Sequence, residues 1–230
     1  MTKPYELLIF DWDGTLMDSI GRIVSSMQVT ATALHLPVPQ AAAVRDIIGL
    51  SLEPAIGRLF GKLPAPQYEQ FLETYRAQYV ELDTTPTPLF AGVREMLNEL
   101  SAQGYQLAVA TGKARRGLDR VLQESELTDL FTITRCADES RSKPDPHMLH
   151  EIMTHTGVAQ SATLMIGDSM HDLRMAQAAG VDALGVDFGA HSAELLLTCE
   201  PRAVLSDWSQ LDSFLQQGIK SKTSKGAGFE

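Results

Sequence analysis

Four aspartates follow short apolar runs of the sequence at spacings that favour a shared site. Asp11 and Asp13 come directly after the run Leu7–Phe10, within the segment Asp-Trp-Asp-Gly-Thr, and Asp168 and Asp172 follow a later apolar run. Clustered carboxylates repel one another, so they stay ionised together only beside a cation. Hard oxygen ligands with remaining positions for water suit Mg²⁺. The four aspartates therefore predict a magnesium site.

Two further polar groups extend this chemistry. Thr111 and Gly112 follow the apolar run Leu107–Ala110, and Lys143 lies in the segment Ser-Lys-Pro-Asp-Pro, where two prolines fix the local backbone. A metal ion, a lysine and a hydroxyl donor match what the charged equatorial oxygens of a phosphoryl group need in the transition state. The residues together predict a site that binds a phosphoryl group.

The elements that must position these residues are short buried strands alternating with helices. Between residues 90 and 186 apolar runs alternate with helical spacing of apolar residues, a pattern typical of βαβ units and an α/β fold with a doubly wound parallel sheet. Ligands of such sheets bind beyond the carboxyl ends of the strands, where the polar residues above are found. The predicted strands are Leu7–Phe10, Leu107–Ala110, Thr163–Ile166 and Ala183–Val186, with weaker ones at Phe131–Thr134 and Ala203–Leu205.

One stretch interrupts the alternation. Residues 18–86 contain helical patterns without a strand signal, and prolines separate the helices, which are predicted over 20–36, 41–48, 52–60 and 68–82. The simplest organisation is a core domain of residues 1–17 and 87–219, a helical insert at 18–86 and a disordered tail at 220–230.

Composition and charge limit the classes of partner that the protein can have. The chain has 230 residues and a net charge of −10, and no apolar stretch approaches the length that spans a bilayer. An acidic surface repels phosphate backbones and anionic lipids, so neither a nucleic acid nor a membrane is expected as a partner. Two distant cysteines, Cys136 and Cys199, and the lack of a signal-peptide core favour the cytoplasm.

These residues resemble the four motifs of the haloacid dehalogenase-like superfamily. The motifs follow in the family's order along roughly residues 5–215: Asp-Trp-Asp-Gly-Thr at 11–15, Thr111, Lys143, and Gly-Asp-x-x-x-Asp at 167–172. The resemblance implies a Rossmann-like core, and it identifies the helical insert as a type-I cap. Within the superfamily, the overall pattern is most similar to the phosphoglycolate phosphatase-like members.

The resemblance also implies roles. Asp11 is expected to be the nucleophile that forms an aspartyl-phosphate, and Asp13 to be the general acid and then the base. Mg²⁺ would be held by Asp11, by the backbone carbonyl of Asp13 and by Asp168. Thr111 and Lys143 are the remaining catalytic candidates, because a hydroxyl and an ammonium stabilise the phosphoryl oxygens.

Other positions complete the set of candidates. Gly112, Gly14 and Thr15 are predicted to contact substrate, and Lys113 is predicted either to contact it or to be a solvated lysine. Asp172 is expected to support the metal's waters, to orient Lys143 or to begin a helix, and Ser169 to touch the metal site or to cap that helix. Further interpretations place hinge or capping residues at Asp18 and Ser19, packing at Trp12, and no metal site at His147 and His150.

Single positions separate the chemistries of the superfamily. Asp13 argues against a dehalogenase, nothing marks Lys62 of the insert as the Schiff-base lysine of a phosphonatase, and the segment 48–52 lacks the Lys and Arg of a sugar-phosphate mutase such as β-phosphoglucomutase. Hydrolysis of a small phosphorylated metabolite remains, with phosphoglycolate, sugar phosphates, nucleoside monophosphates and pyrophosphate as open substrates.

The sequence leaves three questions open. Substrate-selecting groups are expected near residues 47–51, and at Arg45 or Arg22 if either arginine binds a substrate carboxylate. The alternative from another class is a non-catalytic phosphate-binding protein on the same fold. The oligomeric state cannot be predicted from the sequence.

Overall fold

The protein is built on one six-stranded parallel sheet. The computed structural model describes residues 3–223, with side chains through residue 216. The sheet order is β3-β2-β1-β4-β5-β6, and every pair of neighbours is parallel. Its strands are β1 (Leu7–Phe10), β2 (Gln106–Ala110), β3 (Ile133–Arg135), β4 (Thr163–Gly167), β5 (Asp182–Val186) and β6 (Ala203–Leu205). The predicted α/β fold with a doubly wound parallel sheet is confirmed.

Helices occupy most of the remaining described chain. They are α1 (Ile20–Ala33), α2 (Ala41–Ile47), α3 (Leu52–Phe60), α4 (Ala65–Ala77), α5 (Val93–Ala102), α6 (Arg115–Glu124), α7 (His147–Thr156), α8 (Met170–Ala179), α9 (Ala193–Leu197) and α10 (Gln210–Thr223), and a π-helical segment (Gln78–Leu82) directly follows α4. The helix predicted over 68–82 is therefore two elements, α4 and the π-helical segment. Residues 220–223 of the predicted disordered tail belong to α10, and its other residues lie outside the described part.

The sheet carries an apolar core on each face. Side chains alternate along a strand, so Leu8 and Phe10 of β1 join one core while Leu7 and Ile9 join the other. Helices α5, α6 and α10 pack on the first face, and α7, α8 and α9 on the second. Both faces of β1 are covered, which explains its uninterrupted apolar sequence.

The helices between β1 and α5 bury their apolar residues in a third cluster of their own. Helices α1 to α4 and the π-helical segment all contribute to it, with Phe71 and Tyr75 among its aromatic members. Apolar residues at helical spacing give each of these helices one apolar face, and because the segment contains no strand, the helices bury these faces against one another. Among the described helices, none combines the length and the hydropathy that crossing a bilayer requires.

Candidate active site

Strand register brings the ends of three strands to one edge. Phe10 of β1 pairs with Val109 of β2 and with Ile166 of β4. Asp11 follows Phe10 directly, and Thr111 and Asp168 each lie two residues beyond those pairing partners. Because the strands are parallel, their carboxyl ends meet, and the residues after them share the site.

A buried lysine links two of the carboxylates. Lys143 Nζ lies 2.7 Å from Asp11 Oδ1 and 2.6 Å from Asp172 Oδ1, and its side chain has no exposed surface. Burial lowers the pKa of Lys143, but the charges of Asp11 and Asp172 outweigh burial, so the pKa is raised and the lysine stays charged. One ammonium thus neutralises part of the charge of two buried acids.

The three buried carboxylates of Asp11, Asp168 and Asp172 form a cluster that fits a cation. One oxygen from each lies within 4.8 Å of the others. Burial, and next the charge of Asp172, raises the pKa of Asp168 to about 7. Burial also raises the pKa of Asp11 well above its usual range. Asp11 Oδ2 is buried and accepts no hydrogen bond from any described residue. An unpartnered carboxylate oxygen in a group of three acids is what a bound divalent ion would satisfy.

Asp168 is held by two loops. Thr15 Oγ1 donates to Asp168 Oδ1 (2.9 Å), and the Ala190 N–H donates to Asp168 Oδ2 (2.6 Å). Gly14 has a positive φ of 79°, and a Cβ there would lie 2.1 Å from Asp168 Oδ2. A Cβ at Gly189 would lie 2.3 Å from the same oxygen, so both positions need glycine to let the loops approach the carboxylate.

The positions of Gly14 and Thr15 bear on their predicted contact with substrate. The Gly14 N–H donates to the Met17 carbonyl and the Thr15 N–H to the Trp12 carbonyl, while the Thr15 hydroxyl donates to Asp168. Since these donors are used within the protein, the two residues support the carboxylate cluster in the structure. Their contact with substrate stays a prediction.

Asp172 has two functions at once. Its Oδ2 accepts the backbone N–H of Ser169 (3.1 Å), Ser169 Oγ accepts the backbone N–H of Asp172 (3.4 Å), and the two form a capping box at the start of α8. Its other oxygen, Oδ1, faces Lys143. The helix cap therefore fixes the carboxylate that orients the lysine.

Loss of the N-terminal cap of α8 should lower the stability of the protein. Ser169→Ala removes the N-cap acceptor of α8 and should cost about 1 kcal/mol, which is a fall in Tm of about 2–4 °C for a chain of this size. Thermal unfolding followed by circular dichroism measures it. Ser192→Ala is the matched comparison, because it removes the same kind of cap from the short helix α9 at an exposed position, and it should lower the Tm less. A Tm for Ser169→Ala equal to that of wild type would contradict the capping role.

Asp13 lies beside a second lysine. Ser19 Oγ–H donates to Asp13 Oδ1 (2.5 Å), and Lys113 Nζ lies 2.9 Å from the same oxygen. Lys113 Nζ also lies 3.3 Å from the Tyr79 hydroxyl, and 10% of the Lys113 side chain is exposed. Burial lowers the pKa of Lys113, but Asp13 raises it more, so Lys113 stays charged. Lys113 is therefore a largely buried lysine paired with Asp13 rather than a solvated one.

Thr111 and Gly112 meet the loop that follows α2. Thr111 Oγ1 accepts the Lys113 backbone N–H (3.2 Å), and no described residue accepts its hydroxyl proton. A Cβ at Gly112 would lie 2.6 Å from the carbonyl oxygen of Leu50. The Ser51 N–H donates to Ser142 Oγ (3.0 Å), next to Lys143. The stretch 47–51, where substrate-selecting groups are predicted, thus contacts two of the motif segments.

The two candidate arginines of the insert differ in environment. Arg22 is partly buried, and its Nε donates to the Thr85 carbonyl (2.6 Å). Arg45 is exposed, and its Nη1 lies 3.5 Å from the Gly189 carbonyl. Both contact carbonyl oxygens, and their binding of a substrate carboxylate stays a prediction.

Two functional neighbours are not among the residues predicted from the sequence: Tyr79 contacts Lys113, and Ala190 contacts Asp168. Ser19, predicted as a hinge or capping residue, lies at the N-cap position of α1, and its hydroxyl donates to Asp13 rather than capping the helix. Only Ala190 had a usable signal, because it follows β5 at the same edge of the sheet. Trp12 is fully buried, and its Nε1 donates to Met17 Sδ (3.4 Å), in agreement with packing.

A lysine and a carboxylate cluster at the carboxyl edge of a doubly wound sheet are typical of α/β enzymes that bind phosphoryl groups. Comparison with known proteins agrees with this class. The model of the haloacid dehalogenase-like hydrolase family matches residues 8–186. The chain belongs to this family, and it is therefore an enzyme.

Named relatives cover nearly the whole chain. "Probable phosphatase IndB" of Dickeya dadantii is 36% identical over 216 residues, which are 91% of this chain and 92% of that protein. A phosphoglycolate phosphatase of Agrobacterium fabrum is 31% identical over 230 residues, covering 96% and 97% of the two chains. The crystal structure of a hydrolase from Pseudomonas syringae has the same fold, with a TM-score of 0.84 at 23% identity, covering 93% of this chain and 99% of that one. The predicted resemblance to phosphoglycolate phosphatases is confirmed.

Proposed function

We propose that this enzyme hydrolyses a small phosphate monoester with Mg²⁺, through a phosphoaspartate at Asp11. That it is a phosphoric monoester hydrolase follows from its family and its phosphatase relatives; the proposal adds the metal, the intermediate and the substrate size. The observation that carries it is the buried Asp11, with Oδ1 beside Lys143 and Oδ2 without a hydrogen-bond partner among the described residues. A buried carboxylate whose only partner in the described part of the chain is an ammonium at Oδ1 keeps lone pairs on its two oxygens for both a metal ion and phosphorus, as a nucleophile requires.

The first step forms the intermediate. An oxygen of Asp11 attacks phosphorus, the bond from phosphorus to the leaving alcohol oxygen breaks, and protonated Asp13 gives that oxygen its proton. Lys143 stabilises the added charge on the phosphoryl oxygens, since its ammonium already lies 2.7 Å from Asp11. The Thr111 hydroxyl, whose proton no described residue accepts, donates a hydrogen bond to one of those oxygens.

The second step releases phosphate. Asp13, now a carboxylate, takes a proton from water, the water oxygen attacks phosphorus, and the bond from phosphorus to Asp11 breaks. Asp13 Oδ1 accepts the Ser19 hydroxyl and faces Lys113, and these two contacts hold the side chain in place for the proton transfer. Inorganic phosphate leaves, and Asp11 is again a free carboxylate.

The metal site proposed here uses the carboxylates of Asp11 and Asp168 and the backbone carbonyl of Asp13. When bound, Mg²⁺ would neutralise charge on the nucleophile and on the phosphoryl oxygens. Asp168 is suited to this role because Thr15 and Ala190 fix both of its oxygens. Asp172 faces Lys143 instead, so we assign it to the lysine.

The helices over residues 18–86 are proposed to act as a cap on a core domain formed by 1–17 and 87–219. Their loop at 47–51 contacts Gly112 and Ser142, so it covers the edge of the site. A cover of this kind limits the size of the substrate and excludes water. A small phosphorylated metabolite, acted on in the cytoplasm, is the substrate class that fits.

The particular substrate is a finer proposal. Phosphoglycolate is favoured because relatives carry the name phosphoglycolate phosphatase. Sugar phosphates, nucleoside monophosphates and pyrophosphate are the alternatives that a substrate panel distinguishes. A mutase is disfavoured, because Ile48 and Leu52 stand where that chemistry requires charged residues of the cap.

Removal of the metal tests the proposal. Phosphate release from a panel of monoesters should require Mg²⁺ and fall by at least about a hundredfold in excess chelator, because the carboxylate cluster then lacks its cation. Added Mg²⁺ should restore the rate, and circular dichroism of the chelated protein should keep its helical signal. Full activity in excess chelator would sink the magnesium assignment, and no turnover of any monoester would sink the phosphatase.

A further inference from the structure

Lys113 contacts Asp13 from one side and Tyr79 from the other. Its Nζ lies 2.9 Å from Asp13 Oδ1 and 3.3 Å from the Tyr79 hydroxyl, and 5.0 Å from the centre of the Tyr79 ring. Three parts of the chain therefore meet at one ammonium: the loop after β1, the loop after β2 and the π-helical segment. The ammonium lies at the junction between the sheet edge and the helical insert.

The two lysines of the site differ in the number of carboxylates that face them and in their exposure. Lys143 faces two carboxylates and is completely buried, whereas Lys113 faces one carboxylate among the described residues and keeps 10% of its side chain exposed. An ammonium has three N–H donors. Asp13 and Tyr79 account for two on Lys113, which leaves one donor for an acceptor that the described protein does not supply.

Tyr79 is held rigidly enough to position this lysine. Its ring stacks on Tyr75 at 6.0 Å, and Tyr75 in turn stacks on Phe71, a fully buried member of the insert's core. The aromatic stack fixes the Tyr79 hydroxyl independently of Asp13. A tyrosine bound in this way keeps the ammonium at one place by a hydrogen bond and by the face of its ring.

We infer that Tyr79 is a positioning residue that holds Lys113 to bind the non-reacting end of the substrate, and that the pair selects substrates with a second anionic group there. The inference rests on the proposed phosphatase function and deepens it. Lys113 bridges the reacting end, through Asp13, and the insert, through Tyr79, so an anionic oxygen satisfies its remaining donor. A neutral substituent of the same size would gain much less.

A pair of substrates tests this selection. Phosphoglycolate carries a carboxylate at its non-reacting end, and 2-hydroxyethyl phosphate, of similar size, carries a neutral hydroxyl there. Tyr79→Phe should lower the ratio of their kcat/KM values about tenfold, because a hydrogen bond to a charged group is lost. The change should fall on the KM for phosphoglycolate, with a smaller effect on kcat.

Two variants complete the design. Tyr75→Phe is the matched control, because Tyr75 belongs to the same stack and is not among the described residues that bind Lys113, and it should keep the wild-type ratio. Lys113→Met should remove the preference for the charged substrate, so that the two kcat/KM values become similar. Equal specificity constants for both substrates in wild type, or an unchanged ratio in Tyr79→Phe, overturn this inference alone. Absence of turnover of any phosphate monoester overturns the proposed function as well.

Discussion

Asp11→Asn should lower kcat by at least about a thousandfold, because an amide cannot attack phosphorus and form the acyl phosphate. The substitution keeps the size of the side chain and removes one of the two carboxylates that face Lys143. Steady-state phosphate release with Mg²⁺ measures the effect. Borohydride reduction of wild-type enzyme during turnover, followed by peptide mass spectrometry, should find the trapped modification on residue 11.

The matched control is Asp18→Asn, which makes the same chemical change at an exposed aspartate seven residues along the chain. It should retain the wild-type rate. If Asp11→Asn retained that rate too, or if the trapped modification were found on another residue, Asp11 would not be the nucleophile. Melting curves of both variants separate a catalytic loss from a failure to fold.

The fold was largely predictable because its signals are local. A strand buried on both faces is an uninterrupted apolar run, so β1, β2, β4 and β5 were found within about a residue of their ends. The weak edge strand β3 was placed two residues too early, since Phe131 and Thr132 are apolar or β-branched but lie before the pairing begins at Ile133. The sequence predicts one helix through the π-helical segment, because apolar spacing does not distinguish the α-helical from the π-helical hydrogen-bond pattern.

The site was predictable where a residue ends a strand. Asp11, Thr111 and Asp168 follow from the rule that parallel strands end at one edge. The contacts of Ser19 and Tyr79 depend on how the insert returns to the sheet, and a single sequence holds no signal for that packing. Lys113 shows the same limit, because the burial that distinguishes a paired lysine from a solvated one is set by Asp13 and Tyr79, far from it in sequence.

Lys143→Met should reduce both stability and activity, for a single electrostatic reason. Methionine has nearly the length of lysine but no charge, so Asp11 and Asp172 would be buried without their shared counter-ion. Removing one partner of a buried ion pair costs about 3–5 kcal/mol, which corresponds to a fall in Tm of roughly 10 °C. Loss of a charge that stabilises the transition state should also lower kcat by at least about a hundredfold. Lys62→Met, at an exposed lysine of the insert, is the control and should change neither quantity.

The pH dependence of that loss identifies its cause. Burial raises the pKa values of Asp11 and Asp168, and the charge of Lys143 opposes that rise. Without Lys143 these two pKa values rise further in the folded state, so the folded variant binds protons that the unfolded chain does not. A group whose pKa is raised in the folded state stabilises the fold at low pH, and this stabilisation is lost as the pH rises. The difference in Tm between wild type and Lys143→Met, measured in chelator, should therefore be widest near about pH 8 and shrink toward about pH 5. Added Mg²⁺ should narrow the gap at neutral pH, because a site that has lost its ammonium binds the cation more tightly and is therefore stabilised more by mass action than the wild-type site. A gap that is constant across this range would mean that the lysine acts through packing rather than through its charge.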